Sequence, residues 1–340
     1  MTPEWITSVL AGAGVIARVG KVRVEPIGTG QMGSCFRLYP DYGEGDGPRT
    51  LIVKLPSPDP KVRAGGKMGY RCEVAFYRNV AEKVSVRVPR CYFAAVNEDG
   101  DRFTLVLEDL APARQGDQIA GCSVEEARAA ARNVAGLHAP TWNDPTLREL
   151  DWAIPGVEEG ADFVAALVGD ATRQFLDRYD VGLGTAWVME QFADRFVGWA
   201  TGRPEPVSLL HSDYRLDNLL FAPPGSADPV AAVDWQVVTV GMPLRDVGFL
   251  VSTGLPTPDR RRAERGIVED YRRRLVELGV AGYEPEQCWD DYRFGLFQAP
   301  FITVMGALVS QRSERGDRMF TTMAERSATA ITDLDALSLL

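Results

Sequence analysis

The sequence predicts an α+β fold in which a β-rich amino-terminal third is followed by a larger helical part. Three observations carry this expectation. Residues 21–27 (Lys-Val-Arg-Val-Glu-Pro-Ile) alternate in character, and 35–39 and 51–55 are short β-rich runs. Ser123, with Glu126 three residues on, forms a capping box that opens a long helical pattern. Beyond it only one strand pair stands out, around 218–235.

Taken in order, Thr2 and Pro3 read as the N-cap and first position of a short opening helix. The strands of 21–55 follow, with 41–48 (Asp-Tyr-Gly-Glu-Gly-Asp-Gly-Pro) expected as an exposed turn between two of them. Residues 68–84 read as a helix and 102–107 as another strand. The capped helix runs from Ser123 to about His138. Residues 218–221 and 230–233 form a hairpin joined by Ala222-Pro223-Pro224-Gly225-Ser226-Ala227-Asp228-Pro229, and helices fill roughly 259–340. The most apolar stretch, 294–309, is interrupted by Gln298 and Pro300 and is short for a membrane span, so a buried, kinked helix is expected.

Hydrophobic residues at 45% and charged residues at 25% of 340 are ordinary globular values and exclude disordered or low-complexity architectures. The net charge of −10 makes the chain a poor partner for nucleic-acid backbones. Five cysteines, with no C-x-x-C among them, argue against a disulfide framework or structural zinc. The amino terminus carries Glu4 where a signal peptide wants lysines, and no apolar run of signal length follows. The expectation is a cytoplasmic protein with neither nucleic acid nor membrane as partner.

Gly28, Gly30 and Gly33 fit G-x-G-x-x-G, a pattern shared by two phosphate-binding designs. A dinucleotide site wants a helix next and an acid about 20 residues on. Here a strand follows, and the charged residue is Lys54, inside the apolar run Leu51-Ile52-Val53-Lys54-Leu55. A lysine in such a strand is costly without an anionic partner, and a glycine loop followed by a strand lysine is how kinases hold ATP phosphates. A glycine-rich hairpin with a snorkelling lysine is the plainer alternative. On the next helix Glu73 shares a face with Tyr77, Val80 and Val84, whereas Glu82 shares one with Arg78, Asn79 and Ser85. Glu73 is therefore the expected partner of Lys54.

The strongest signal is His211-Ser212-Asp213-Tyr214-Arg215-Leu216-Asp217-Asn218, followed by Asp234-Trp235-Gln236 at the end of an apolar strand. Asp213 and Asn218 are five apart, so one loop can converge them. Asp234 sits at the tip of the partner strand, placed to share Mg²⁺ with Asn218. Turn chemistry explains each residue singly but not their joint order after the glycine loop and strand lysine.

These motifs resemble the aminoglycoside phosphotransferase and choline kinase superfamily, and more narrowly its ecdysteroid-kinase-like branch. Val106-Leu107-Glu108-Asp109-Leu110, Gly136-Leu137-His138 and Gly241-Met242-Pro243-Leu244-Arg245-Asp246-Val247 are further matches, and the resemblance spans about 22–275. It implies a bilobal protein-kinase-like fold, with a β-rich N-lobe over 1–110 and a helical C-lobe over 111–340. It implies ATP between the lobes, Lys54 on the α/β-phosphates with Glu73 orienting it, and the backbone near Glu108 to Leu110 meeting adenine. Asp213 would be the catalytic base, and Asn218 and Asp234 the Mg²⁺ ligands. Ser212 replaces the commoner Gly, and Gln236 stands where protein kinases have the Gly of Asp-Phe-Gly.

His138 and His211 read as buried hydrogen-bonders, and Asp246 as a tether of the catalytic loop. Arg215 is open between neutralising the transferring phosphoryl group and plain surface charge. The arginines of 260–274 are expected on a solvated helix face, through Arg265/Glu269, Glu269/Arg273 and Asp270/Arg274 at four-residue spacing. Residues 141–207 hold twelve carboxylates against five basic residues. Glu158, Glu159 and Asp162, with Asp290 and Asp291, would attract a cationic acceptor if they face the cleft; as solvated helix faces they would not. An aromatic stripe, Trp187 or Val188 with Phe192, Phe196 and Trp199, suits a bulky apolar alcohol or, more plainly, a packed core. The expected activity is ATP- and Mg²⁺-dependent phosphoryl transfer to a small-molecule hydroxyl. A protein kinase and a nucleotide-binding pseudokinase are the alternatives.

Overall fold

The computed structural model describes residues 1–28 and 33–340. The chain divides into two units: residues 1–83, 88–112 and 234–236 make the first, and 84–87, 113–233 and 237–340 the second.

In the first unit, helix α1 (Pro3–Gly12) is capped by Thr2, whose side chain accepts from Trp5 N. Strands β1 (Ala17–Ile27), β2 (Gly33–Gly45) and β3 (Leu51–Pro56) follow, then helix α2 (Pro60–Asn79) and strands β4 (Cys91–Val96) and β5 (Phe103–Glu108). The strands form one antiparallel sheet in the order β1-β2-β3-β5-β4. Ile6, Val9 and Leu10 of α1 pack with Val19, Leu38, Leu51, Val53 and Val106 as an apolar core under the sheet. The expected turn at 41–48 is corrected: β2 continues to Gly45, with Glu44 opposite Arg18 and Gly45 opposite Ala17. Glycine-rich, acidic residues have little strand preference of their own, and the ladder with β1 overrides it. Helix α2 begins eight residues earlier than expected, because Asp59 caps Lys61 N and Pro60 sits at the first position, and it ends at Asn79.

The second unit opens with β6 (Arg114–Gln115) and α3 (Val124–His138), whose capping box between Ser123 and Glu126 is complete. Helices α4 (Ala161–Arg178), α5 (Leu183–Asp194) and α6 (Phe196–Thr201) precede β7 (Ser208–Leu210), β8 (Leu219–Phe221), β9 (Val230–Ala232) and β10 (Thr239–Gly241). These strands form two small antiparallel ladders, β6-β8-β9 and β10-β7. Helices α7 (Leu244–Gly254), α8 (Thr257–Glu277), α9 (Pro285–Gly295), α10 (Gln298–Val309) and α11 (Glu314–Asp333) complete the unit.

Two further expectations are corrected here. The apolar run 294–309 is two helices broken at Leu296 and Phe297, and Pro300 lies in the first turn of α10, where a missing N–H costs nothing. Gln298 is buried because its Nε2 donates to Ser212 O at 2.9 Å. Pro285–Val309 is long and apolar enough to cross a membrane by length and composition, yet most of it is packed inside the protein. The arginines of α8 do not make the expected i,i+4 pairs. Arg272 pairs with Glu269, Arg273 with Asp270 and Arg274 with Glu277 at three-residue spacing, while Arg265 reaches Glu286. Arg260 is fully buried, with Glu264 and Asp333 as partners.

Gly136 closes α3 against the segment before β4: its carbonyl accepts from Ser85 N at 2.8 Å, and a Cβ there would lie 2.6 Å from the backbone of Ser85 and Val86. Gly136→Ala should therefore destabilise the second unit by about 2–3 kcal/mol despite alanine's better helix propensity. An unchanged denaturant midpoint would refute this.

Candidate active site

In the first unit, Lys54 on β3 is almost fully covered. Its Nζ lies 2.9 Å from Glu73 Oε1, 2.8 Å from Glu73 Oε2 and 2.8 Å from Asp234 Oδ1. The pairing register that sets Lys54 opposite Cys35 and Leu105 fixes its side of the sheet, and the helical phase of α2 turns Glu73 inward. Burial works against the ammonium, but Asp234 and Glu73 outweigh it and hold its pKa above that of an ordinary lysine. Gln236 Nε2 donates to Glu73 Oε2 at 3.2 Å, a contact the sequence reading missed. Trp235 stacks on Phe76 of α2, with centroids 3.8 Å apart and planes 6° from parallel, and so fixes Asp234-Trp235-Gln236 against the helix.

Asp234 has φ of +68°, a strained setting that aspartate tolerates better than most residues. Its side chain is 44% exposed, against 12% for Lys54 and 1% for Glu73. One end of this ion cluster is sealed and the other, a carboxylate, faces outward. Gly28 has φ of +72°, and a Cβ on Gly33 would come within 2.8 Å of Leu55 O, so both loop ends require glycine. Gly30 lies outside the described residues. At the end of β5, Glu108 N donates to Arg90 O, and Asp109 takes a two-pronged bond from Arg37. The Leu110 N–H has no hydrogen-bond partner among the described residues.

In the second unit, Asp213 is held from two sides. Arg215 Nε donates to its Oδ1 at 3.0 Å, and Asn218 Nδ2 to its Oδ2 at 2.8 Å. Arg215 is thus neither plain surface charge nor turned outward: it bridges Asp213 and Asp217, whose Oδ2 lies 2.7 Å from Nη1. Asp217 also takes both prongs of Arg315 from α11 and the N–H of Gln118. Burial pushes its carboxyl up, but these donors and charges outweigh burial and hold it below the usual range. Sequence reading missed Arg315, which lies about a hundred residues away and carries no local signal.

The loop's other end hangs on Asp246, which accepts from His211 N at 2.7 Å and Ser212 N at 2.9 Å. His138 bridges Asp246 and Tyr271 from complete burial, and His211 Nε2 meets Val233 O. Ser212 has φ of +65°, a setting glycine adopts more readily; its hydroxyl meets Thr239 at 2.7 Å. Val233 N donates to Asn218 O, extending the β8-β9 register to the residue before Asp234. No group of three or more His, Cys, Asp or Glu among the described residues forms a protein-only metal cage. A Mg²⁺ site needs only one or two protein oxygens beside phosphates and water. The exposed Asp234 carboxylate would fit that demand, and Asn218, whose amide nitrogen donates to Asp213, would offer its side-chain oxygen.

The aromatic stripe is mostly core. Val188, Phe192, Phe196 and Trp199 are buried and Trp187 is exposed; Phe192 stacks on Phe297. Among the acids, Asp291 is buried against Tyr283 and Arg203 and Asp290 pairs with Arg293, whereas Glu158, Glu159 and Asp162 are exposed.

A model of the phosphotransferase enzyme family matches residues 42–287. The chain is 26% identical over 155 residues to mouse (Mus musculus) acyl-CoA dehydrogenase family member 10, a match covering 39% of this chain but only 14% of that protein's length. It resembles choline kinase from Cryptosporidium parvum at a TM-score of 0.60 and 12% identity, over 99% of this chain and 97% of that one. It also resembles APH(2″)-IIIa, solved in complex with GDP and kanamycin, at 0.59 and 13%, over 96% and 99%. At such identities the structures establish the shared kinase-like fold.

Lys54→Met leaves Glu73 buried without its cation and should cost about 3–5 kcal/mol at neutral pH. Glu73 then has a folded pKa above its unfolded one, so the deficit should shrink as pH falls and the carboxyl takes up a proton. Thermal melts of variant and parent between pH 8 and pH 5 test this, and a constant gap would contradict it.

Proposed function

The chain belongs to the phosphotransferase enzyme family, and on that footing we propose that it is a kinase moving the γ-phosphate of ATP, with Mg²⁺, to a hydroxyl of a small molecule. The observation that carries this reading is the sealed Lys54–Glu73 pair with the outward Asp234 carboxylate beside it. Within the family, the motif around Asp213 favours the ecdysteroid-kinase-like branch.

Lys54, oriented by Glu73, offers its ammonium to the α/β-phosphates, and Gly28 and Gly33 let backbone approach them. The backbone of Glu108 and Leu110 meets adenine, with the Leu110 N–H as donor. Asn218 and Asp234 would hold Mg²⁺, which would offset the negative charge of the nucleotide's phosphates. Asp213, fixed by Arg215 and Asn218, aligns the acceptor hydroxyl. The acceptor oxygen forms a bond to Pγ as the bond from Pγ to the departing ADP oxygen breaks, and the hydroxyl proton passes to Asp213. Arg215 acts through Asp213 as a positioning residue rather than reaching the phosphoryl group.

Two outcomes follow. Asp213→Asn should keep nucleotide binding and lose about 10²–10⁴-fold in transfer; Asp234→Ala should lose Mg²⁺-dependent nucleotide binding. The direct test is mass spectrometry of mixtures with Mg-ATP and a panel of aminoglycosides, amino alcohols, sugars and sterols. A product heavier by one phosphoryl group, absent with Asp213→Asn, supports the reading. Nucleotide binding without transfer to the panel or to a cell extract favours a pseudokinase.

A further inference from the structure

Within the second unit lies a cavity of about 780 Å³, within the usual size of small-molecule sites. Its wall includes Trp199 from α6, Phe294 from α9, and Met242 and Arg245 at the entry to α7. Arg245 is only 7% exposed, and its guanidinium lies over the Trp199 ring, 3.9 Å from the centroid. Neither Nε nor Nη2 has a hydrogen-bond partner, and no carboxylate among the described residues lies within ion-pair distance of it. Glu158 and Asp246 attract it only from afar, and burial pulls its pKa down to about 10.

The contrast with the protein's other arginines is informative. Arg260, equally buried, is paired with Glu264 and Asp333. The orphaned edge of Arg245, Nε with Nη2, is the edge by which Arg37 grips Asp109 and Arg261 grips Asp333, two prongs to one carboxylate. Arg203, the neighbouring cation, already has Asp291 at 3.5 Å. A buried, unpaired guanidinium is costly to the folded chain, and a cavity adjoins this one.

We propose that this cavity binds a small organic acid, its carboxylate paired with Arg245 and its apolar body against the half-buried Leu150, Ile154 and Val240. The exposed carboxylates also lining it, Glu149, Asp151, Glu158 and Glu159, disfavour a second negative charge on the ligand. The site is joined to the candidate catalytic loop by chain connectivity. Asp246, the next residue, holds His211 and Ser212, and the cavity wall at Val240 and Gly241 lies on β10, paired with β7, which leads into that loop. The proposal does not depend on phosphoryl transfer, because binding is read without nucleotide.

The test is calorimetric titration of the nucleotide-free protein with phenylacetate, 4-phenylbutyrate, 2-naphthoate and octanoate, each beside the alcohol of the same skeleton. At least one acid should bind tenfold or more tightly than its alcohol. Arg245→Met should abolish that preference while leaving the melting temperature of the ligand-free protein equal or higher, as expected when an unpaired buried charge is removed. Arg245→Lys, which keeps the charge and loses the fork, should weaken the acid tenfold or more and serves if the methionine variant does not fold. Acids binding no better than alcohols, or an undiminished preference in either variant, would overturn the proposal.

Discussion

The candidate phosphate-binding end of this protein depends on one buried ammonium. Lys54 sits in an apolar strand, where an unpaired charge is not tolerated, and Glu73 and Asp234 both answer it. That demand ties together β3, α2 and the segment after β9. Glu73, sealed and bonded to Gln236 as well, fixes where the ammonium points. Asp234, more exposed than its partners, brings a second carboxylate to the ammonium from the segment after β9. Trp235 on Phe76 supplies the apolar packing that holds the aspartate in its left-handed backbone setting.

The second unit solves the opposite problem, keeping carboxylates close without mutual repulsion. Asp213 and Asp217 share Arg215, and Arg315 adds a second guanidinium to Asp217. Asp246 meanwhile takes two backbone N–H groups of the same loop. Every charged side chain described in this loop therefore has a partner that also restrains its direction.

Much of this was legible because the signals are local. The capping box needs only Ser123 and Glu126. The inward face of Glu73 follows from helical offsets, and the anomaly of Lys54 from its neighbours in one strand. What was not legible rests on partners far along the chain. Residues 41–45 are strand only because β1 pairs with them, against their own preference. Arg260 looked like one of a solvated row until Asp333 of α11 enclosed it. Arg215 could not be assigned without seeing Asp213 and Asp217 on the same guanidinium, and Arg315 carried no signal near the motif it serves.

The order of glycine loop, strand lysine, helix glutamate, catalytic-loop aspartate and strand-end aspartate is fixed by sequence, because spacing and periodicity decide which residues share a strand, a face or a loop. Which carboxylate neutralises which cation is a different kind of fact. Ion pairs and buried hydrogen bonds are made wherever the fold brings a donor within about 3 Å, at separations from two residues to well over a hundred. Only the tertiary structure decided that Arg215 and Arg315 restrain the loop, that Arg260 is enclosed, and that Arg245 is buried beside a cavity with no carboxylate of the described residues within ion-pair distance.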